Sequence, residues 1–233
     1  MDLRPLETWI QPEHLPEGTL VEYGDRFASH PARLIVIKDF LVSSVAERLS
    51  RFLAAEAEFQ VEYGCYSHDG GVTETQWQSA DESDRFFRLR KLVATPQRFR
   101  MSPNALTYLQ FRKGFQSAEM RRFFEAVSGL PLGWSDDFGA HSMIEGDFLR
   151  PHSDDNRDRR LALVIYLSPN WQPRFGGLLR VAHPDGSITD VEPSYNTMIA
   201  FDVLASPAHL VTPIAVPPTT WQRLSIGGWY HKR

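Results

Sequence analysis

Apolar residues follow helical spacing in much of the first half of the chain and strand-like spacing in the second. The capping box Ser44-x-x-Glu47, followed by apolar residues three and four positions apart, predicts an amphipathic helix over residues 44–58. A second helical region is predicted over residues 104–128, with Ser117 as the N-cap of its second half. The first half of the chain is therefore expected to supply supporting helices.

Some stretches before residue 136 lack a helical pattern. Residues 1–32 are rich in Pro, Glu and Gly, and we predict an irregular arm over the surface. The β-branched run at residues 34–37 is typical of a short strand. Residues 68–84 are polar and have no period, which predicts a surface loop or flap. With the two helices, residues 33–135 are expected to form helical support for a core further along the chain.

After Pro131, strand-like runs replace helices. The nearly continuous apolar run from Leu161 to Leu167 suits a strand that is buried on both faces. Further short runs separated by turn residues follow as far as Tyr230. The pattern predicts a mainly β fold with flanking helices (α+β). Residues 136–233 would form a double-stranded β-helix core of jelly-roll, cupin-like type, with the N-terminal helices packed outside.

Length and composition narrow the class of protein. A chain of 233 residues suits one domain over residues 1–233 and is short for two. The net charge of −4 gives no electrostatic reason to expect a nucleic-acid partner, and the single cysteine excludes an intramolecular disulfide. Because we find neither a signal-peptide pattern nor a membrane-spanning run, we expect a cytoplasmic protein without a membrane partner. The sequence leaves the oligomeric state undecided.

The pattern His-x-Asp occurs twice and could bind a metal ion. His183-Pro184-Asp185 precedes a glycine between two strand-like runs, so we interpret it as a turn. His152-Ser153-Asp154 instead follows an extended segment, where residues two apart point to the same side. An imidazole and a carboxylate would then lie together at a strand end.

A metal site needs a third ligand, and His209 is the candidate because it begins a strand-like run late in the β region. Two histidines and one carboxylate are the ligand set of the facial triad of non-haem Fe(II) oxygenases. The alternative is that His209 is a structural histidine.

In the last predicted strand, Arg223, Ser225 and Gly227 share one face. If that face is covered, Arg223 is buried and needs an anionic partner, because an unpaired buried guanidinium is costly. An internal salt bridge or an edge strand facing water would also explain it. A bound dicarboxylate is the functional interpretation.

These residues, in this order, resemble the 2-oxoglutarate and Fe(II)-dependent dioxygenases of the prolyl-hydroxylase type. The matching residues are His152-x-Asp154, Arg160 to Leu167, Gly176-Gly177-x-Leu179, Asn196, Phe201, His209, Arg223-x-Ser225 and Gly228-Trp229-Tyr230. More narrowly, RRLALVIYLSPNWQPRFGGLLRV and the closing RLSIGGWYHK are similar to the catalytic domain of ribosomal-protein prolyl hydroxylases of eukaryotes. The resemblance covers residues 33–233.

The resemblance implies that His152, Asp154 and His209 bind Fe(II), and that Arg223 binds the far carboxylate of 2-oxoglutarate with help from Ser225. It also implies that O₂ is consumed, that succinate and CO₂ are released, and that ascorbate assists. The carboxylate of Asp154 favours hydroxylation over halogenation. Met143 stands where relatives often carry a tyrosine near 2-oxoglutarate, and Tyr166 is a candidate substitute for that contact.

The sequence leaves three hypotheses for the function. The first is an enzyme that hydroxylates a prolyl or other residue of a protein or peptide. The second is a hydroxylase of a free or carrier-bound amino acid or other small metabolite, and the remote third is a non-catalytic jelly-roll binding module. Trp77, in the predicted flap, and Trp171, in a strand connection, are proposed for the substrate rim, although Trp171 could equally be a packing residue.

Overall fold

The computed structural model describes residues 3–93, 102–135, 138–156, 158–205 and 208–233. The α-helices are α1 (Glu17–Ser29), α2 (Ser43–Ala55), α3 (Glu74–Ser79), α4 (Pro103–Phe115) and α5 (Ala118–Ser128). The strands are β1 (Leu34–Ile37), β2 (Phe59–Cys65), β3 (Gly71–Val72), β4 (Arg85–Leu92), β5 (Gly139–Met143), β6 (Phe148–His152), β7 (Arg159–Tyr166), β8 (Leu179–Ala182), β9 (Ile188–Val191), β10 (Thr197–Asp202), β11 (His209–Val211) and β12 (Arg223–His231). Within these ranges no helix is long and apolar enough to cross a lipid bilayer.

The strands form one antiparallel sheet in the order β1-β10-β7-β12-β5-β4-β6-β11-β8-β9, and β2 and β3 extend it beside β4. Strand β4 pairs with β5 through Arg90 and Ser142, and with β6 through Phe87 and Leu149. It therefore joins two groups of strands, and both groups line one central cavity. This rolled antiparallel sheet confirms the mainly β fold predicted for the second half of the chain.

The almost continuously apolar sequence of β7 is explained by burial on both of its faces. Leu161, Leu163 and Ile165 belong to the hydrophobic cluster that contains the helices, whereas Ala162 and Tyr166 belong to the cluster inside the rolled sheet. Alternate residues of a strand point to opposite faces, so both faces of β7 need apolar side chains. The prediction of a strand buried on both faces is confirmed.

The predicted irregular arm over residues 1–32 is wrong, because residues 17–29 form α1. Leu20, Tyr23 and Phe27 recur at helical spacing and are buried. Gly18 and Gly24 both lie within α1, and a Cβ added at Gly24 would make an ordinary contact, 3.4 Å from the carbonyl oxygen of Ala126 in α5.

The prediction that residues 33–135 are mainly helical support is also incomplete, since β4 lies between the two strand groups of the sheet. Its arginines make the segment look solvent-exposed, yet Arg88 donates to Asp147, with Nε 2.6 Å from Oδ1, and Arg90 pairs with the same carboxylate. Asp147 is fully buried, so the two arginines supply the partners that its charge needs. The predicted flap over 68–84 also contains regular structure, namely β3 and α3.

The structure confirms one of the two predicted helix N-caps and contradicts the other. Ser117 caps α5 as expected, because its Oγ accepts a hydrogen bond from the backbone N–H of Met120. The Ser44-x-x-Glu47 capping box is wrong: α2 begins one residue earlier, after Val42, without a side-chain cap. A capping box joins Thr73 and Gln76 at the start of α3 instead. The single-domain organisation over residues 1–233 stays a prediction.

We expect Asn196→Ala to destabilise the fold by about 3 kcal/mol. The buried Asn196 amide donates to the carbonyl of Leu41 (2.8 Å) and accepts from its N–H (2.9 Å), and its backbone has a positive φ of 53°. Alanine would leave both Leu41 groups unpaired and would disfavour that backbone conformation. Asn170 is the matched control, since it is exposed and has a φ of 59°. Urea unfolding should show a loss of about 1 kcal/mol for Asn170→Ala. Equal losses in the two variants would contradict the role of the Leu41 bonds.

Candidate active site

Two neighbouring strands bring the predicted histidines together. His152 ends β6, His209 begins β11, and the two are directly paired across the antiparallel ladder. Asp154 follows β6 by two residues, and its oxygens lie 3.5 Å from Nε2 of His152 and 3.4 Å from Nε2 of His209. One potential ligand atom from each residue lies within 4.8 Å of the others. The structure therefore assembles the predicted triad from two separate segments of the chain.

The protonation states of the triad suit metal binding. Burial lowers the pKa of His209 to about 4, so its imidazole is neutral near pH 7 and has a lone pair to offer. Burial raises the pKa of Asp154, but the interactions of its carboxylate with His152 and His209 and the hydrogen bond from Trp229 outweigh that effect and lower it to about 2. Nδ1 of His152 lies 3.0 Å from the carbonyl oxygen of Arg150. Because a carbonyl only accepts, Nδ1 carries the proton and Nε2 faces the centre of the triad.

Two side chains that sequence reasoning did not assign to the site hold Asp154 in place. Nε1 of Trp229 donates to Oδ2 of Asp154 at 2.9 Å. The guanidinium of Arg159 lies 3.4 Å from the centre of the Trp229 ring, and its NH1 is 3.6 Å from Oδ1 of Asp154. Trp229 entered the sequence analysis only as part of the closing segment.

The second His-x-Asp pattern forms a turn, as predicted. His183 bonds through its ring nitrogens to the hydroxyls of Ser187 (2.7 Å) and Thr189 (2.8 Å). Asp185 accepts hydrogen bonds from the backbone and side chain of Ser187. These contacts close the β8–β9 hairpin and place His183 outside the triad.

Arg223 is buried at the start of β12 and lines the same cavity as the triad. Its Nε donates to the carbonyl of Gly177 (3.0 Å) and its NH2 to the hydroxyl of Tyr166 (3.1 Å). Gly177 has a φ of 74°, and a Cβ there would lie 3.1 Å from Cδ of Arg223, so glycine makes room for the arginine. No described carboxylate forms an ion pair with Arg223, which leaves its positive charge available to a bound anion.

Of the other residues predicted near the co-substrate, some line the cavity and one contacts Arg223 from behind it. Ser225 and Met143 line the cavity, and Sδ of Met143 lies 3.8 Å from NH1 of Arg223. Tyr166 is not among the lining residues; it is fully buried and its hydroxyl accepts from Arg223. Burial raises the pKa of Tyr166, against the opposing effect of Arg223, so it stays a neutral phenol. The structure therefore places Tyr166 where it orients the arginine.

Neither tryptophan proposed for the substrate rim lines the cavity. Trp77 lies on α3 and packs against Tyr63 and Phe148, with ring centres 5.3 and 6.2 Å away. Trp171 donates its Nε1–H to the carbonyl of Gly176 at 2.9 Å, which fits the packing role. The aromatic wall near the triad comes instead from β4 and includes Phe86, whose ring lies edge-on to His152 at 5.2 Å.

The cavity that contains these groups has a volume of about 320 Å³. Its lining includes the His152, Asp154 and His209 donors as well as Arg223 and Ser225. Two imidazoles and a carboxylate form the donor set of a facial triad that suits Fe(II) and leaves metal positions open. A buried guanidinium in the same cavity complements a small dicarboxylate. The residues present thus fit an iron ion together with an anionic co-substrate.

Comparisons with known proteins agree with this geometry. The family model of the 2OG-Fe(II) oxygenase superfamily matches residues 138–231. The prolyl 3-hydroxylase OGFOD1 of Mus musculus is 29% identical over 119 residues, which are 48% of this chain and 22% of that protein. The prolyl 3-hydroxylase sudestada1 of Drosophila melanogaster is 29% identical over 126 residues, or 48% of this chain and 23% of that protein. The matches thus span less than a quarter of these curated relatives.

Solved structures share the fold over almost the whole chain. A prolyl-4-hydroxylase of Pseudomonas putida has a TM-score of 0.60 and 25% identity, and the match covers 92% of this chain and 99% of that one. A prolyl hydroxylase of Trichoplax adhaerens, bound to a peptide fragment of the hypoxia inducible factor oxygen degradation domain, has a TM-score of 0.63 and 15% identity. That match covers 93% of this chain and 90% of the other. The resemblance inferred from the sequence motifs is confirmed.

Proposed function

We propose that this chain is a 2-oxoglutarate and Fe(II)-dependent dioxygenase that hydroxylates a prolyl residue of a protein or peptide, as its match to the 2OG-Fe(II) oxygenase model over residues 138–231 supports. One observation carries the proposal: the His152–Asp154–His209 triad shares a cavity with Arg223, a buried arginine that has no described carboxylate partner. A structural salt bridge would explain a buried arginine alone, and a structural cluster would explain the histidines alone. Together they fit a metal ion and a dicarboxylate bound side by side.

His152, Asp154 and His209 would hold the iron. Asp154 supplies the single negative charge, and Trp229 keeps its carboxylate in one orientation by donating to Oδ2. His152 is fixed by its bond to the Arg150 carbonyl, so its ring need not reorient when a metal binds. Fe(II) and 2-oxoglutarate, when bound, supply the oxidising chemistry that inserts one atom of O₂ into a C–H bond and releases succinate and CO₂.

Arg223 would bind the far carboxylate of 2-oxoglutarate, with Ser225 two residues along the same strand face as a hydrogen-bonding partner. Tyr166 and Gly177 each accept a bond from the guanidinium and hold it toward the cavity. Phe86, Phe201 and other apolar side chains line the cavity around these groups and would limit contact of the reacting groups with water.

The relatives favour a prolyl residue in a protein or peptide over a free amino acid. The Pseudomonas putida structure is a prolyl-4-hydroxylase and matches this chain along most of its length. The Trichoplax adhaerens enzyme holds a peptide in its structure.

The test is succinate formation from 2-oxoglutarate by protein loaded with Fe(II) under anaerobic conditions and then exposed to air. Proline-containing peptides, ribosomal proteins and free amino acids are supplied in turn, and hydroxylated products are identified by mass spectrometry. Stimulation by a peptide or protein with a mass gain of one oxygen on proline is the expected result. Stimulation by free amino acids alone would transfer the proposal to a metabolite hydroxylase. Folded protein that binds no iron and turns over no 2-oxoglutarate would favour a binding module.

Trp229→Phe should weaken Fe(II) binding by roughly 10- to 100-fold, the usual cost of removing a partner of a metal ligand. Phenylalanine keeps the ring but cannot donate to Oδ2 of Asp154. Trp171→Phe is the matched control, because it also removes an indole N–H bond, to Gly176, without contact with the triad. Metal titration followed by elemental analysis measures both variants. Equal iron affinity in Trp229→Phe and wild type would show that the bond does not support the site.

A further inference from the structure

A second pocket, of about 250 Å³, lies beside the catalytic cavity and has a different chemical character. It is formed by β4, α4 and β5, together with Arg159 and Trp229. Its polar lining residues are Lys91, Tyr108, Arg112, His141 and Arg159. His141, Arg159 and Trp229 line both pockets, so the two sites share a wall. A ligand in one pocket would therefore lie close to a ligand in the other.

The second pocket is positively charged although the whole chain has a net charge of −4. Among the described residues, no aspartate or glutamate lines it. Lys91 and Arg112 form no ion pair with any carboxylate in the part of the chain that the structure describes. Burial raises the pKa of Tyr108 to about 12, despite the nearby Arg112, so its hydroxyl remains a hydrogen-bond donor. Two uncompensated cations and a donor in one pocket favour an anionic ligand.

We propose that this basic pocket binds an acidic side chain of the peptide substrate while the prolyl residue occupies the catalytic cavity. The inference rests on the proposed function and adds a sequence preference to it. Because His141, Arg159 and Trp229 form a shared wall, the acidic residue and the proline would lie near each other in space, which a short peptide achieves with the two a few residues apart. Fixing a side chain beside the reacting residue would also restrict how the peptide moves in the cavity.

The experiment uses short peptides with one central proline, made in pairs that carry either Glu or Gln at one of the three positions on each side. For at least one position, wild-type protein should turn over the Glu peptide with a kcat/KM about tenfold above that of its Gln partner, the effect of about one charge-assisted hydrogen bond. In the double variant Lys91→Gln, Arg112→Gln this ratio should fall to about one.

The control is Lys113→Gln, Arg122→Gln, which removes the same charge from α4 and α5 outside the pocket. This control should keep the wild-type ratio, and a ratio that falls equally in both double variants would mean that overall charge, not the pocket, attracts acidic peptides. That result would overturn the inference.

Added inorganic phosphate should compete with the Glu peptide and leave the Gln peptide unaffected. Equal inhibition of both peptides would assign the pocket to a free anion.

Failure of this inference is distinct from failure of the proposed function. Turnover of Glu and Gln peptides at equal kcat/KM at every position would overturn the acidic preference and leave prolyl hydroxylation in place. Turnover of no peptide, with turnover of free amino acids in the same assay, would contradict peptide hydroxylation itself and the preference with it.

Discussion

Asp154→Ala protein should bind Fe(II) more than about 100-fold more weakly than wild type. This loss is larger than that expected for removing a residue, such as Trp229, that only hydrogen-bonds to a metal ligand. The Asp154→Ala protein should also lose 2-oxoglutarate turnover. Asp154 is the only carboxylate in the described triad, so alanine leaves two neutral imidazoles to hold a dication. Its pKa, lowered to about 2, keeps it ionised throughout the pH range in which iron would be tested. Elemental analysis after anaerobic loading and a succinate assay measure the two losses.

The matched control is Asp185→Ala, which removes the aspartate of the other His-x-Asp pattern. Asp185 is exposed and bonds only within its hairpin turn, so iron binding and turnover should remain at wild-type levels. Full activity of Asp154→Ala would contradict the metal site. Loss of iron from Asp185→Ala alone would mean that the metal binds at the hairpin.

The triad could be predicted because its members carry local patterns. His152 and Asp154 are two residues apart at the end of an extended segment, which places them on one side of the chain. His209 begins a strand-like run, and the pairing of β11 with β6 brings it opposite His152. The choice between the two His-x-Asp copies followed from turn chemistry, since Pro184 and Gly186 are typical of a hairpin.

The residues that support the triad could not be found in this way. Trp229 contacts Asp154 across 75 residues of sequence, and no local pattern marks a tryptophan as a hydrogen-bond donor to a particular carboxylate. Arg159 has no local pattern that marks it as part of the site, because its stacking on Trp229 depends on the pairing of β7 with β12. The predictions for Trp77 and Trp171 relied on residue type and on their places in a predicted flap and a strand connection, and neither lines the cavity. Such contacts depend on tertiary pairing rather than on spacing in the sequence.

The fold was predictable where burial on two faces leaves a pattern, and less so where polar residues are buried. Strand β7 reads as a core strand because it packs against helices on one face and the cavity on the other. Strand β4 does not, since Arg88 and Arg90 interrupt its apolar pattern to neutralise Asp147, which lies more than fifty residues away. A buried ion pair thus makes a central strand resemble a surface segment.

Strand β4 also connects the two proposed binding events. Its Phe86 and Phe87 line the catalytic cavity, while Lys91 lines the basic pocket. Because the strand pairs with both β5 and β6, its side chains are held relative to the triad and to the shared wall. A rigid element that contributes to both pockets fixes the distance between them, which a peptide with a set spacing of proline and acid would require.

The second large effect is expected at Arg223, where Arg223→Ala should raise the KM for 2-oxoglutarate by roughly 100-fold or more. A guanidinium can bond both oxygens of a carboxylate, and alanine offers neither charge nor donor. The KM of Arg223→Lys for 2-oxoglutarate should lie between those of wild type and Arg223→Ala, because an ammonium group keeps the charge but lacks the planar arrangement of donors. Met143 lies beside the guanidinium but is apolar, so it cannot replace the lost donor.

Iron binding separates a specific loss from misfolding in this test. Arg223→Ala should still load Fe(II) through the triad, since its described hydrogen bonds go to Gly177, Tyr166 and Met143 and not to the triad. Arg180→Ala serves as the control: it removes an arginine from β8 that pairs with Asp190 at a half-exposed position, and its KM should not change. Kinetics at varied 2-oxoglutarate concentration give the KM, and titration of the proteins with Fe(II) gives the affinity for iron. Iron-loaded Arg223→Ala with a wild-type KM would assign the buried guanidinium a purely structural role, because its only necessary partners would then be Gly177 and Tyr166.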